Sequence, residues 1–256
     1  MRETELKEHE RLDDLMKSGR KIIQNTQEFC FSLDAVLLAH FPRLYPRQNV
    51  LELGTGTGVI PLLIADEVRH VEAVELSPVM AELAARNVRM NELEEKITVR
   101  EGDYRAIRSL YPAESFDVVL ANPPYRPVAH GQANKIRGVA RARHEFTATL
   151  EDVVCAARYA LKFGGHFAMV HLPERLGEIL VALHEHQMEA KRLRMVQPKT
   201  GKAPNMMLIE AVVGAATGGL KVMPPLIVHE DDGRYTREIL SIYGMTAQDI
   251  GDTAKE

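Results

Sequence analysis

The sequence predicts an α/β protein with a doubly wound, mostly parallel sheet. From Val50 onward, apolar segments of strand length alternate with longer segments of helical spacing. The first of these strands runs into glycines at 54, 56 and 58 and then into an apolar helical segment, which is the strand, loop and helix unit of nucleotide-binding sheets. With 256 residues and 45% hydrophobic content, the chain can bury such a sheet under helices on both faces.

The other elements follow from local patterns. Residues 1–17 are acidic and predict an exposed helix, while residues 31–41 are apolar on nearly every side and predict a helix packed on the sheet. Ser77 is the predicted cap of a helix that begins at Pro78. Strands are predicted at 49–53, 71–75, 97–100, 116–121, 166–170, 190–196 and 206–213, the last two as an antiparallel hairpin, and helices at 59–65, 78–91, 150–163 and 174–186. The chain thus divides into an N-terminal helical extension (1–45), a sheet domain (46–215) and a C-terminal tail (216–256).

The tetrad Asn122-Pro123-Pro124-Tyr125 is the most informative motif, because it follows the apolar run 116–121 and so lies at the tip of a predicted buried strand. Two consecutive prolines supply no N–H group, so the turn presents acceptors without competing donors. The Asn122 side-chain oxygen and the Pro123 carbonyl can accept both hydrogens of an exocyclic amine, and the Tyr125 ring can stack on a planar base or amide. The tetrad therefore predicts chemistry at an amine or amide nitrogen.

Carboxylates follow the neighbouring predicted strands. The glycine loop departs from the fingerprint of pyrophosphate-binding dehydrogenases, because Val59 stands where a further glycine is expected. Glu52 would repel a pyrophosphate but can accept from a cationic amino acid group. Glu75, 21 residues beyond Gly54, is placed to take ribose hydroxyls, and Asp103 to accept from an adenine amino group. This set favours a sulfonium cofactor over a dinucleotide.

These motifs resemble those of class I S-adenosylmethionine-dependent methyltransferases of the amino-methylating branch, and the chain is most similar to the bacterial tRNA(Val) adenine-N6-methyltransferases. The similarity rests on 52–58, 75, 103 and 122–125 and extends to 31–39, 142–145 and 224–228. It implies a seven-stranded Rossmann-like sheet, S-adenosylmethionine as cofactor, and methyl transfer to the exocyclic N6 of adenosine 37 in the anticodon arm of tRNA(Val). The residues to which it assigns catalysis are Asn122, Pro123, Pro124 and Tyr125. The residues to which it assigns cofactor binding are Glu52, Gly54, Thr55, Gly56, Gly58, Glu75, Leu76, Asp103, Tyr104, Asn122 and Asp34.

Three alternatives stay open. Protein glutamine N5-methyltransferases share the tetrad but carry a larger helical domain in front of the sheet, and only 48 residues precede Asn49 here. Guanine N2-methyltransferases that act on ribosomal RNA more often have phenylalanine where Tyr125 stands. A non-catalytic RNA-binding protein on a methyltransferase fold would have no physical need for intact Gly54, Glu75 and Asn122.

Charge is distributed unevenly, although the net charge is only −4. The segment 118–144 and the segment 191–209 are basic and contain no acidic residue. We expect them to form a phosphate-binding track, with the part of the first segment that follows the tetrad as a glycine-containing flap beside the active site. The predicted RNA-binding residues are Arg126, Lys135, Arg137, Arg141, Arg143, Lys199 and Lys202. Phosphate contacts do not read sequence, so these side chains do not specify which RNA is bound.

Composition argues against other classes. No apolar run approaches the roughly 20 residues of a membrane span, and the charged N-terminus lacks the apolar stretch of a signal peptide, so the cytoplasm is expected. Cys30 and Cys155 lie in apolar sequence and are expected to be buried thiols. No metal site is predicted, because the 10 histidines do not pair with cysteines at ligand spacing.

Overall fold

The computed structural model describes residues 4–15, 19–28, 30–125 and 148–245. The strands are β1 (Glu10–Asp14), β2 (Lys21–Asn25), β3 (Asn49–Leu53), β4 (His70–Glu75), β5 (Ile97–Glu101), β6 (Phe116–Ala121), β7 (Leu161–His171), β8 (Met188–Lys199), β9 (Met206–Val213), β10 (Lys221–Val222) and β11 (Leu226–His229). The helices are α1 (Leu33–His40), α2 (Val59–Ile64), α3 (Pro78–Met90), α4 (Ile107–Leu110), α5 (Leu150–Ala160), α6 (Leu176–Glu185) and α7 (Arg237–Ile242). None of these helices is long and apolar enough to cross a membrane.

Nine strands form the main sheet in the order β10-β8-β9-β7-β6-β3-β4-β5, with β11 also paired to β8. Within it, β9 runs antiparallel to both of its neighbours, and the other pairs are parallel. The predicted mostly parallel sheet and the predicted hairpin of β8 and β9 are confirmed. The sheet exceeds the expected seven strands because β10 and β11, from the segment after residue 215, pair with the free edge of β8.

The N-terminal region departs from the prediction. Residues 10–14 are strand β1 and pair with β2 as a small antiparallel hairpin, so the predicted acidic helix is wrong. A run of acidic residues fits a strand as well as a helix, and β2 buries Ile22 and Ile23 in two separate hydrophobic clusters, one on each of its faces. Of the predicted helical extension, only α1 is a helix among the described residues.

The sheet separates two hydrophobic cores, because successive side chains of a strand point to opposite faces. In β3, Val50 lies in one core and Leu51 in the other, and Val118 and Val119 divide in the same way in β6. Helices α1, α2 and α7 cover the first face, and α5 and α6 cover the second. By the same alternation, Glu52 of β3 and Asn122 after β6 belong to the face that α1 covers.

The boundary between α5 and β7 was predicted wrongly. Helix α5 ends at Ala160 rather than at Phe163, and β7 begins at once with Leu161. The following glycines belong to an irregularity in the pairing of β6 with β7. A Cβ atom on Gly165 would lie 2.9 Å from the Lys162 carbonyl oxygen, so this close approach requires glycine.

Candidate active site

The strand register brings the two principal motifs together. Leu53 of β3 pairs with Ala121 of β6, so Gly54 and Asn122 follow directly from neighbouring strand ends. Leu53 also pairs with Val74 of β4, which places Glu75 at the same edge. The parallel arrangement thus joins motifs that lie about 65 residues apart in sequence at the carboxyl edge of the sheet.

The glycine loop adopts a backbone that favours glycine. Gly54, Gly56 and Gly58 have φ angles of +76°, +57° and +80°. A Cβ on Gly54 or Gly56 would meet nothing nearer than 3.9 Å, whereas a Cβ on Gly58 would lie 3.3 Å from Ala84 of α3. The first two glycines carry no side chain that would shield the loop backbone from a ligand, although a Cβ there would touch Tyr104 and Met80, and the third permits close packing of the loop on α3.

Glu52 is a buried carboxyl group beneath this loop, with 2% of its surface exposed. The Thr55 hydroxyl donates a hydrogen bond to Glu52 Oε2. Burial raises the pKa of Glu52 to about 8, an effect to which Glu75 adds and which the Thr55 hydrogen bond opposes. A cation that bound next to Glu52 would stabilise the ionised carboxylate.

Glu75 is held by the backbone of the same loop. Its Oε2 accepts from the Gly56 N–H at 2.8 Å, and its Oε1 accepts from the Ser77 N–H at 2.9 Å. Burial raises the pKa of Glu75, opposed by these N–H groups. Ser77 also caps α3 as predicted, and its hydroxyl accepts from the Met80 N–H. A carboxylate has about four acceptor sites, so the backbone N–H groups around Glu75 leave acceptor capacity for a ligand.

Asp103 lies beyond β5, next to Glu75, whose carbonyl oxygen accepts from the Gly102 N–H. Its carboxylate caps the turn that follows and forms a salt bridge of 2.6 Å with Arg105. The Arg105 guanidinium holds the pKa of Asp103 below its usual range. The oxygens that were predicted to meet an adenine amino group therefore already have an intramolecular partner.

Two more predicted cofactor residues flank these carboxylates. Tyr104 is the residue nearest to a Cβ built on Gly54, so its ring borders the loop. Leu76 follows Glu75 directly and is half-buried.

In the tetrad, Pro123 is buried, Pro124 is exposed, and the phenol of Tyr125 turns back into the protein. The Tyr125 hydroxyl lies 2.5 Å from Asp34 Oδ2 of α1 and 3.1 Å from the Asn122 side chain. Burial raises the pKa of Tyr125, and the adjacent Asp34 carboxylate raises it further, so the phenol stays protonated. Asp34 was predicted to contact the cofactor, whereas its hydrogen bonds run to Tyr125, Ser32 and the Ala35 N–H.

His171 belongs to this site but was not predicted from sequence. It ends β7, one strand beyond the tetrad, and its ring lies 5.5 Å from that of Tyr125 at an angle of 57°. Burial and the neighbouring Arg175 lower the pKa of His171 to about 4, so the ring is neutral near pH 7. A histidine at the end of a strand carries no sequence signal that separates a site residue from a core residue.

Asn87 of α3 was also missed. It is fully buried, and its Nδ2 donates to the carbonyl oxygens of Ile23 in β2 and Thr57 in the glycine loop, at 3.0 and 2.9 Å. Its Oδ1 accepts from the Ile23 N–H at 2.7 Å. Asn87 therefore joins the N-terminal hairpin to the loop.

Of the predicted RNA-binding residues, Lys199 and Lys202 lie at the carboxyl end of β8 and in the turn after it. Lys202 is exposed, and Lys199 donates to the Asp231 carbonyl oxygen at 3.1 Å. The predicted flap and its five basic residues lie outside the described residues, namely Arg126, Lys135, Arg137, Arg141 and Arg143.

The two cysteines are less buried than predicted. Cys30 is half-buried and Cys155 is exposed on α5. Cys155, Glu151 and His186 lie together, but the His186 ring nitrogen is already bound to Glu151 Oε1 at 2.6 Å. We interpret this pair as a link between α5 and the end of α6.

A mostly parallel sheet with an open glycine loop, a carboxylate on the next strand and the tetrad at its switch point defines a Rossmann-like methyltransferase. In agreement, residues 33–178 match the family model "Methyltransferase small domain". A tRNA1(Val) (adenine(37)-N6)-methyltransferase of Tolumonas auensis is 31% identical over 217 residues, covering 82% of this chain and 86% of that protein. Its counterpart in Porphyromonas gingivalis is 28% identical over 200 residues, covering 76% of this chain and 78% of that protein.

Solved structures agree on the fold. A predicted O-methyltransferase from Agrobacterium tumefaciens superimposes with a TM-score of 0.66 at 23% identity, covering 83% of this chain and 96% of that one. The M. jannaschii tRNA m1G37 methyltransferase superimposes with a TM-score of 0.58 at 12% identity, covering 81% of this chain and 58% of that one. The present chain belongs to the tRNA1(Val) (adenine(37)-N6)-methyltransferase family.

Proposed function

We propose that this protein transfers a methyl group from S-adenosylmethionine to N6 of adenosine 37 in the anticodon arm of tRNA(Val). The observation that carries the proposal is the placement of Asn122 and Pro123 beside Gly54, at the ends of two paired parallel strands. Amine acceptors and an open glycine loop then share one edge of the sheet. Family membership supplies the identity of the RNA and of the nucleotide.

The residues present fit S-adenosylmethionine. Gly54 and Gly56 leave room for close approach of a ligand to the backbone, and Glu75 keeps acceptor sites for a ribose diol. Glu52, whose buried carboxyl group favours a cationic neighbour, suits the amino acid end of the cofactor. We assign further contacts to Leu76 and Tyr104. When bound, the cofactor supplies an electrophilic sulfonium methyl group.

The protein's own part in the reaction is to orient the amine. The N6 hydrogens of adenine bind to the Asn122 side-chain oxygen and the Pro123 carbonyl, which leaves the nitrogen lone pair free to attack the methyl carbon. The base leaves its stack at little cost in a single-stranded loop, and the tethered Tyr125 ring provides a stacking surface. As the new N–C bond forms and the S–C bond breaks, the nitrogen becomes cationic and loses a proton to solvent. Rate enhancement comes from orientation and electrostatics.

The decisive experiment is methyl transfer from labelled S-adenosylmethionine to unmodified tRNA(Val) transcript, followed by nucleoside analysis. A transcript with guanosine in place of adenosine 37 is the matched control. N6-methyladenosine in the first transcript and no label in the second is the expected result. Label in a release-factor glutamine peptide, or as N2-methylguanosine in ribosomal RNA, would replace the proposal with one of its rivals. Failure to bind S-adenosylmethionine would favour the non-catalytic alternative, whereas cofactor binding without transfer to any of these substrates would point to another substrate.

Asn122→Ala removes the side-chain acceptor of the amine. We expect turnover on tRNA(Val) to fall by about 10²- to 10³-fold, the loss typical of one oriented polar group in an active site. The dissociation constant of S-adenosylmethionine, measured by calorimetry, should change little. Near-native turnover of Asn122→Ala would contradict the assigned role.

A further inference from the structure

We propose that Asp34 sets the orientation of the Asn122 carboxamide through the phenol of Tyr125, and so is a positioning residue for methyl transfer. The expected effect on methyl transfer rests on the proposed function, whereas the hydrogen bonds from which we infer it involve no substrate. It replaces the cofactor contact that the sequence predicted for Asp34.

The phenol of Tyr125 has a single hydrogen to donate. Its hydroxyl lies within hydrogen-bond distance of two side chains, at 2.5 Å from Asp34 and 3.1 Å from Asn122. One O–H group donates only one hydrogen bond, and a carboxylate is a stronger acceptor than an amide. The shorter distance agrees with this preference. The phenolic hydrogen is therefore given to Asp34.

The group of Asn122 that faces the phenol must then be a donor. In the structure, Oδ1 of Asn122 lies 3.1 Å from the Tyr125 oxygen, and these two oxygens would repel each other without a hydrogen between them. A half-turn of the carboxamide exchanges its oxygen and nitrogen at the same positions. With Nδ2 directed at the Tyr125 oxygen, Oδ1 points away from Tyr125 and is free to accept a hydrogen from a substrate amine.

Asp34 is held firmly enough to enforce this direction. It is 5% exposed, and its other oxygen accepts from the Ser32 hydroxyl at 2.6 Å and from the Ala35 N–H at 2.8 Å. Both of these donors bind Oδ1, so they leave Oδ2 to accept from the phenol. The oxygen facing Tyr125 thus acts as an acceptor only, and the phenol has no alternative partner for its hydrogen there.

The near-isosteric change Asp34→Asn should reverse the direction of the chain of hydrogen bonds. An amide N–H at position 34 donates to the phenol oxygen, the phenol then donates to Oδ1 of Asn122, and Nδ2 is presented to the substrate amine. Two donors then face each other. We expect turnover on tRNA(Val) to fall at least tenfold at saturating substrates, with the dissociation constant of S-adenosylmethionine within twofold of the wild-type value.

The double variant separates orientation from general damage. Tyr125→Phe removes the phenol, so the residue at position 34 no longer dictates which way Asn122 points. Asp34→Asn/Tyr125→Phe should therefore be more active than Asp34→Asn alone and close to Tyr125→Phe. A double variant whose losses multiply, or an Asp34→Asn variant that weakens cofactor binding and leaves turnover intact, would overturn the inference. The second result would restore the cofactor contact.

A measurement without substrate tests the same geometry. The side-chain amide resonance of Asn122 in a nitrogen-15 spectrum can be assigned by its loss in Asn122→Ala. It should shift in Tyr125→Phe, where Nδ2 loses its acceptor, and in Asp34→Asn, where the carboxamide turns. An unchanged resonance in both variants would exclude the arrangement even if the wild-type protein methylates tRNA(Val). Conversely, the shifts would stand if the proposed RNA proved wrong.

Discussion

At the scale of single residues, the site depends on polar groups taken out of water and then given defined partners. Asp34, Glu52 and Glu75 are largely buried, and each accepts hydrogen bonds from neighbouring hydroxyl or N–H groups. Among the described residues, no buried side-chain nitrogen or oxygen lacks a partner. Polar groups satisfied in this way have fixed orientations, which binding and catalysis need.

We predict that Glu52 makes cofactor affinity depend on pH. Its pKa of about 8 means that the carboxyl group is mostly neutral at pH 6 and ionised at pH 9. Only the ionised form pairs with a cationic amino acid group, so we expect the dissociation constant of S-adenosylmethionine to fall as the pH rises through this range. Titration calorimetry at a series of pH values measures it.

The variant Glu52→Gln is the matched control, because the amide still accepts from Thr55 but does not titrate. Ionisation of the ligand affects both proteins equally, so only the difference between their profiles reports Glu52. Parallel profiles would refute the assignment.

The stability of the free protein depends on pH in the opposite direction to cofactor affinity. Because folding raises the pKa of Glu52 from 4.5 to about 8, the contribution of Glu52 to the free energy of unfolding is lost as the pH rises between these values.

At the scale of elements, α3 connects the N-terminal hairpin to the glycine loop. Asn87 and Asn91 lie one turn apart on the same face of this helical segment, and both hydrogen-bond to the backbone of β2. Only Asn87 also reaches the loop, through the Thr57 carbonyl oxygen. The hairpin thus supports the loop through α3.

Asn87→Ala leaves buried groups of Ile23 and Thr57 without partners. We expect the free energy of unfolding to drop by at least about 1–3 kcal/mol, the usual cost of an unsatisfied buried polar group, and cofactor affinity to weaken. Denaturant unfolding and calorimetry measure the two effects. Asn91→Ala, which removes bonds to Lys21 of the hairpin and to the Asn87 carbonyl oxygen, should lower stability but leave cofactor affinity near the wild-type value. Equal loss of affinity in both variants would argue against a specific link to the loop.

At the scale of the whole molecule, the sheet extends beyond the site on one side. Met195 of β8 lies level with His171, because both pair with Met207 of β9. Lys199 stands four residues further along β8, roughly 13 Å beyond that level at the rise of an extended strand. Strand β11 pairs with this projecting end. The end of β8 therefore overhangs the carboxyl edge, and we propose that Lys199 at this end and Lys202 just after it contact bound RNA.

The double substitution Lys199→Ala/Lys202→Ala should weaken tRNA binding and reduce the slope of log affinity against log salt by about 1 for each phosphate that is no longer neutralised. Turnover at saturating tRNA should be retained, since neither side chain touches the tetrad. Lys221→Ala is the control. Lys221 is also exposed, but it pairs with Arg192 of β8, which lies before Met195 and therefore away from the end that carries Lys199. Filter binding over a range of salt concentrations measures the affinities. An equal effect of both variants would show that the lysines act only through overall charge.

The sequence by itself determined the sheet and the chemistry of its edge. Strand-length apolar runs, the glycines of the loop and the acceptor-rich tetrad carry their meaning locally, because backbone freedom and donor or acceptor character belong to each residue. The parallel sheet of alternating strands and helices then follows from the general rules of chain connection.

The tertiary structure decided which side chains meet. Asp34 lies 91 residues from Tyr125, and Asn87 lies 64 residues from Ile23, so no local pattern couples them. The hairpin at the N-terminus was mistaken for a helix because a run of acidic residues does not report backbone geometry, and the Glu10 side chain in this run is buried against Arg86. Contacts between distant residues depend on strand order and register, which bring Asp34, Asn122 and Tyr125 together on one face of the sheet. Asp103, by contrast, is paired with its sequence neighbour Arg105.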